Sequence, residues 1–172
     1  LEQELDGRML GDLVHRVLGE CYRSLSSDGL LPLTTACVVE ADRRADLLIQ
    51  GMVDGPGCPG SAAERRLAAH RLRQMTHRLF EAEAGWGSHL GFSEAEASVG
   101  SDGGVDVGGL RIRGRVDRID STPDAHKWFV LDYKSGSAPA ASAIGGERGL
   151  QLPLYLMALG AERDEQQVLG GA

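Results

Sequence analysis

Apolar residues first recur at the 3.6-residue spacing of an amphipathic helix, from about Gln3 to Leu25, with Leu10, Leu13, Val14, Val17, Leu18 and Cys21 on one stripe. A second helix is expected over Thr35 to Gln50. The Gly/Pro-rich stretch Asp54 to Gly60 reads as a loop. Ser61-Ala62-Ala63-Glu64 has the form of a capping box that opens a long helix reaching about Ala84, with Leu67, Leu72, Met75, Leu79 and Phe80 as packing positions. The period then changes. Phe92 to Val99 alternates as a strand does, and Gly100 to Gly109 reads as a glycine-rich turn. Leu110 to Asp120 and Lys127 to Lys134 are expected to pair antiparallel across Ser121 to His126, where Pro123 and Asp124 favour a turn. Ser137 to Gly149 is rich in small residues and reads as a loop over a cleft or a linker. Gln151 opens a short helix that tolerates Pro153 in its first turn and turns Leu152, Leu156 and Leu159 inward.

Polar residues interrupt this pattern where the two paired strands run. Trp128, Val130, Asp132 and Lys134 fall on one side of their strand, and Phe129, Leu131 and Tyr133 on the other. A symmetric loop puts Arg115 opposite Asp132 and Asp117 opposite Val130. Asp117 and Asp132 are then diagonal neighbours on one face, roughly 7 Å apart at Cβ, a gap that two carboxylates bridge through one divalent ion. A slip of one residue would separate them. Arg111, Arg113, Arg115 and Asp117 share a face, Ile112 and Val116 take the other, and Arg118 stands close by. Two readings of the basic row stand side by side: phosphate contact, and a solvated edge strand guarded by like charges. The apolar run Trp128 to Leu131 leads straight into Asp132 and Lys134, which favours a cleft over scattered surface charge.

The order Gly114-Arg115-Val116-Asp117-Arg118-Ile119-Asp120, then Asp132-Tyr133-Lys134-Ser135-Gly136, then Gln151-Leu152-Pro153-Leu154-Tyr155 resembles the PD-(D/E)XK nuclease superfamily, most closely its RecB-like and AddB-like exonuclease branch. Gly11 to Leu18 is similar to that family's helix carrying a metal-binding histidine. The resemblance implies His15, Asp117 and Asp132 as metal ligands, Lys134 as the catalytic lysine, and Gln151 and Tyr155 as a Gln-x-x-x-Tyr element beside the site. It also matches Glu96 to an acidic position that precedes the Asp117 strand, with Glu94 as the competing residue. The implied fold is α/β, a restriction-endonuclease-like core with a central mixed sheet flanked by helices. The implied activity is exonucleolytic hydrolysis of DNA, single-stranded and fed from an end by a helicase domain or subunit, leaving 5′-phosphate and 3′-hydroxyl ends in recombination or break repair.

The chemistry of phosphodiester hydrolysis fits these residue types. It needs a water made nucleophilic near neutral pH and charge stabilisation on the phosphate oxygens, and one or two Mg²⁺ or Mn²⁺ ions supply both. Asp117, Asp132 and a backbone carbonyl offer hard oxygen donors, and an imidazole at His15 tilts preference toward Mn²⁺. The ammonium of Lys134 suits stabilisation of the negative transition state. By pattern alone His15 is a boundary residue on the flank of its helix stripe, and Gln151 and Tyr155 are boundary residues of a core helix; their functional roles rest on the resemblance. His70, His77 and the nearby arginines read as a solvated face.

Composition sets outer limits. A chain of 172 residues with 42% hydrophobic content is expected to form one domain spanning 1–172. No apolar stretch suits a membrane span, and the start shows no signal-peptide pattern, so a soluble, cytoplasmic piece of a longer helicase-nuclease or RecB-family chain is expected. Cys21, Cys37 and Cys58 read as reduced thiols, with no complete iron-sulfur ligand set after Tyr155. A net charge of −7 argues against a protein that coats DNA through bulk basicity, but not against a nuclease. The competing readings are a catalytically silent DNA-binding or scaffolding module and a small-molecule phosphoesterase.

Overall fold

The structure, a computed structural model, describes residues 7–86, 90–101, 103–122, 127–134, 151–163 and 167–171. Contacts divide the chain into two compact units, Leu1–Ser88 and His89–Ala172.

The first unit is helical. Helix α1 (Gly7–Ser27) buries Val14, Val17, Leu18, Cys21, Tyr22 and Leu25, an i, i+3, i+4 series that makes one continuous stripe. The expected stripe is displaced toward the C-terminus, with Leu10 and Leu13 only half-buried. Helix α2 (Val38–Asp54) starts three residues later than expected, because Thr35 to Cys37 form a turn in which Cys37 N donates to Thr34 O at 2.8 Å. It ends where Gly55 turns extended (φ −64°, ψ 151°) ahead of Pro56, as steric pressure from proline requires. Ala41, Ala45, Ile49 and Val53 line its buried face at a strict i, i+4 spacing.

Helix α3 (Ala62–Trp86) opens on the expected capping box: Ser61 N donates to Glu64 Oε2 at 2.6 Å and Glu64 N to Ser61 Oγ at 3.3 Å. The Ser61 bonds hold the Glu64 carboxyl below its ordinary range. Its buried face runs Ala68, Leu72, Thr76, Phe80 and Glu83. Leu67, expected to pack, lies one position off that row and is 51% exposed. Tyr22 ties α1 to α3: its ring meets Phe80 edge-on at 5.8 Å, and its hydroxyl donates to Glu83 Oε1 at 2.7 Å.

The second unit holds a four-stranded sheet in the order β1-β4-β5-β6, made of β1 (Gly91–Val99), β4 (Gly114–Ser121), β5 (Lys127–Leu131) and β6 (Gln167–Gly171). The first three are antiparallel, and β6 runs parallel to β5, so the sheet is mixed, as the sequence implies. Between β5 and β6 comes helix α4 (Gln151–Glu162). Ala97, Val99, Val116, Ile119 and Val130 form the core with Ala158 and Leu159 of α4, while Leu152, Tyr155 and Leu156 pack around them.

Two expectations are corrected here. Leu110 to Asp120 is not one strand, because the chain breaks at Arg113. Residues on either side of Gly108 and Gly109 form a separate hairpin, β2 (Val105–Val107) with β3 (Leu110–Ile112). Both glycines have positive φ (60° and 84°), as a two-residue turn of this hand requires. Arg111 and Arg113 therefore do not continue the strand of Asp117. The β4–β5 register also differs, pairing Ile119 with Val130 and Ser121 with Trp128. Ser121 stays in the ladder, and Thr122 closes it, its N–H donating to Lys127 O at 3.0 Å while its Oγ1 accepts from Lys127 N at 3.2 Å. The shift is two residues, so every side chain keeps its expected face. The expected linker at Ser137 to Gly149 and the turn residues Pro123 and Asp124 lie outside the described residues.

Candidate active site

Two acidic residues stand opposite each other on the second unit's sheet, and a third, Asp132, lies just past the end of the adjoining strand. The pairs Ala95–Arg118 and Ala97–Val116 bracket Glu96 and Asp117 and set them opposite each other. Arg118–Leu131 is the last pair of the next ladder, and Asp132 follows it directly in the chain, past the end of β5. Carboxylate oxygens of Glu96 and Asp117 come within 4.8 Å of one another.

Each acid is held by a different contact. Asp117 is buried, and its Oδ2 accepts from the backbone N–H of Tyr133 at 2.6 Å, so the central acid fixes the segment that carries Asp132 and Lys134. Asp132 forms an ion pair with Lys134 and accepts from Gln151 Nε2 at 3.1 Å. Gln151 in turn accepts from Lys134 Nζ at 3.2 Å, and its Nε2 lies 3.5 Å from Tyr155 Oη. One side-chain amide thus meets the aspartate with its donor and the lysine with its acceptor. Glu96 pairs with Arg115 at 2.7 Å and has φ 57°, alone among the described non-glycine residues in being positive. A left-handed backbone at a residue other than Gly, Asn or Asp costs of order 1 kcal/mol or more and persists only where the surroundings fix it. Glu94, the competing acid, pairs instead with Arg163 at 3.2 Å.

Gly114 makes room for this arrangement. A Cβ there would stand 2.6 Å from Tyr155 Cε1 and 3.0 Å from its hydroxyl, so the first glycine of the Gly-Arg-x-Asp string lets the tyrosine of α4 lie against β4. Sequence alone offers no reason for that pairing, since the two residues are far apart along the chain.

The basic residues divide by environment. Arg113 and Arg115 are exposed. Arg111 donates to the carbonyls of Gly103 and Gly104 at 3.1 and 3.4 Å, bracing the hairpin. Arg118, expected at the phosphate, is 6% exposed and turned inward. Its guanidinium forks onto Asp120, Nε to Oδ1 at 2.6 Å and Nη2 to Oδ2 at 2.7 Å, beneath the ring of Phe92. It cannot also serve a ligand in solvent. His15 lies on α1 in the other unit, half-buried on the flank of the apolar stripe.

The carboxylates of Glu96, Asp117 and Asp132 are hard oxygen donors, and such donors fit Mg²⁺ or Mn²⁺ better than a thiophilic ion. The cysteines offer no rival centre: Cys21 is buried and its thiol is pushed up to about 12 by desolvation. A family model of the PD-(D/E)XK nuclease superfamily matches residues 1–172. The chain belongs to this superfamily. No curated protein and no solved structure matches it. Asp117, Asp132 and Lys134 lie in the strings on which the sequence resemblance to this superfamily rests. No helix among the described residues is long and apolar enough to cross a membrane.

Proposed function

We propose that the protein is a metal-dependent DNA exonuclease in which Asp117 and Asp132 hold Mg²⁺ or Mn²⁺ and Lys134 is the catalytic lysine. The observation that carries this reading is the convergence of Asp132, Lys134 and Gln151 beside the Glu96–Asp117 row. A bound divalent ion would supply a water of lowered pKa and compensate the charge on the phosphate oxygens. Lys134 places an ammonium, with three N–H donors, where a non-bridging phosphate oxygen gains negative charge. Gln151 restricts that ammonium to the side of Asp132. Water attacks phosphorus, the bond to O3′ breaks and O3′ leaves as the hydroxyl, giving a 5′-phosphate on the other fragment. Arg113 is an exposed cation suited to binding the strand, Arg115 is exposed but paired with Glu96, and Glu96 adds a third acid near the centre. The resemblance extends the reading to His15 as a further ligand, to single-stranded ends as substrate, to recombination or break repair as the setting, and to a helicase domain or subunit as the partner.

The test is digestion of end-labelled single-stranded DNA with Mn²⁺, with EDTA, and with Lys134→Ala. Cleavage is expected only for the wild type with metal. DNA binding without metal-dependent cleavage would instead support a scaffolding module, and turnover of mononucleotide esters without preference for polymer would support a phosphoesterase.

A further inference from the structure

We propose that the buried Arg118–Asp120 pair is a positioning device for the nuclease centre, acting through Tyr133; the proposal rests on the nuclease reading above. The last β4–β5 pair among the described residues is Arg118–Leu131, so Asp132, Tyr133 and Lys134 lie past the end of that ladder. Successive residues of this segment alternate in direction. Asp132 and Lys134 meet Gln151 on one side, and the phenol of Tyr133 points the other way, where Arg118 Nη1 reaches its oxygen at 3.5 Å. At its backbone end Tyr133 donates to Asp117. Tyr133 is therefore held at both ends, by Arg118 and by Asp117, with the candidate ligand and the candidate catalytic lysine on either side of it.

A buried ion pair of this kind is weak evidence for stability, since each ion loses several kcal/mol of hydration and an apolar pair of equal volume serves a core as well. The geometry points to a different role. The two-point fork onto Asp120 fixes the plane of the Arg118 guanidinium, Phe92 lies 5.8 Å from its centre, and the remaining nitrogen is aimed at Tyr133. The second arginine and the last aspartate of Gly114 to Asp120 thus serve the site from the far face of the strand, without touching substrate.

The experiment is amide hydrogen exchange on the whole chain, wild type beside Tyr133→Phe, which removes one oxygen and keeps the ring. Exchange at the residue-133 and Lys134 amides is expected to accelerate about tenfold, with Ile119 and Val130 in the ladder unchanged. In calorimetry Mn²⁺ should bind several-fold more weakly, and kcat should fall about tenfold with KM for DNA retained, as a misplaced catalytic group predicts. Arg118→Lys, which keeps the cation but loses the fork, should show the same pattern. Unchanged exchange at residue 133, or equal acceleration along the whole β4–β5 ladder, would overturn the proposal. A wild type without metal-dependent cleavage would count against the nuclease reading alone, because the exchange comparison decides the positioning role by itself.

Discussion

The helical unit and the sheet unit are both rich in charge, yet among the described residues only the second sets acids against each other. In the helical unit the pairs join neighbouring turns or neighbouring helices at the surface: Glu40 with Arg43 and Arg44, Arg44 with Asp28, Arg73 with Asp46, and Asp42 with His77. Acids and bases alternate in these pairs, Arg44 serving both Glu40 and Asp28, and such pairs contribute only about 0–1 kcal/mol. In the sheet unit Glu94, Glu96 and Asp120 also pair with arginines, but Glu96 and Asp117 stand opposite each other, and the nearby Lys134 shares its contacts with an aspartate and an amide. Like charges set opposite each other on a sheet destabilise it, so the Glu96–Asp117 juxtaposition is a cost to the fold that the proposed cation centre would explain. Charge abundance does not mark a site; convergence from several strands does.

The largest effect should come from breaking the proposed centre itself. Asp117→Ala, Asp132→Ala and Lys134→Ala should each lower metal-dependent cleavage by about 10³-fold, with the melting temperature near that of the wild type for Asp132→Ala and Lys134→Ala and only modestly lower for Asp117→Ala, which removes the acceptor of the Tyr133 N–H, measured by calorimetric scanning. A large fall in melting temperature would show that these groups hold the fold instead. Next comes Gly114→Ala, whose new Cβ meets the Tyr155 ring. It should destabilise by about 1–3 kcal/mol and lower kcat by displacing the Gln151 end of α4, read from denaturant melts and kinetics together.

In the helical unit, Tyr22→Phe takes a donor from the buried Glu83 and should cost about 1–3 kcal/mol in stability, with kcat unchanged at temperatures well below melting. The smallest effect concerns His77, whose pKa is raised from 6.5 by its bond to Asp42 and by that charge. A raised folded value stabilises below 6.5 and the contribution fades as pH rises through the folded value. His77→Gln should therefore lower the melting temperature on the acid side of that range and leave it unchanged on the alkaline side. Glu40 has the opposite sign: Arg43 and then Arg44 hold it at about 2 against an ordinary 4.5, so its contribution is present above 4.5 and lost as pH falls through about 2.

Periodicity alone located the helices and the alternation of β1 and β5, because one buried stripe or face is a local property of the chain. The Ser61–Glu64 box was legible for the same reason. Register was less so. A symmetric loop misplaces Asp117 by two positions, since nothing in Ser121-Thr122 says that both stay with the ladder, and only face parity survives the error. Gly108-Gly109 carried a hairpin signal that a reading of the whole stretch as one turn passed over. Strand β6 was not legible, because Gln167 to Gly171 has neither strict alternation nor length, and it pairs in parallel with a distant partner. At the site, Asp117, Asp132, Lys134 and Gln151 could be named from their strings, but the inward turn of Arg118 could not. Its place depends on Phe92, Asp120 and Tyr133, which only the folded sheet brings together.

The central claim is that these carboxylates form a cation centre. Calorimetric titration of the wild-type chain with Mn²⁺, beside Asp117→Ala and Asp132→Ala, tests it most directly. Saturable binding in the wild type that is lost in both variants is the predicted result; equal heats in all three proteins would contradict it.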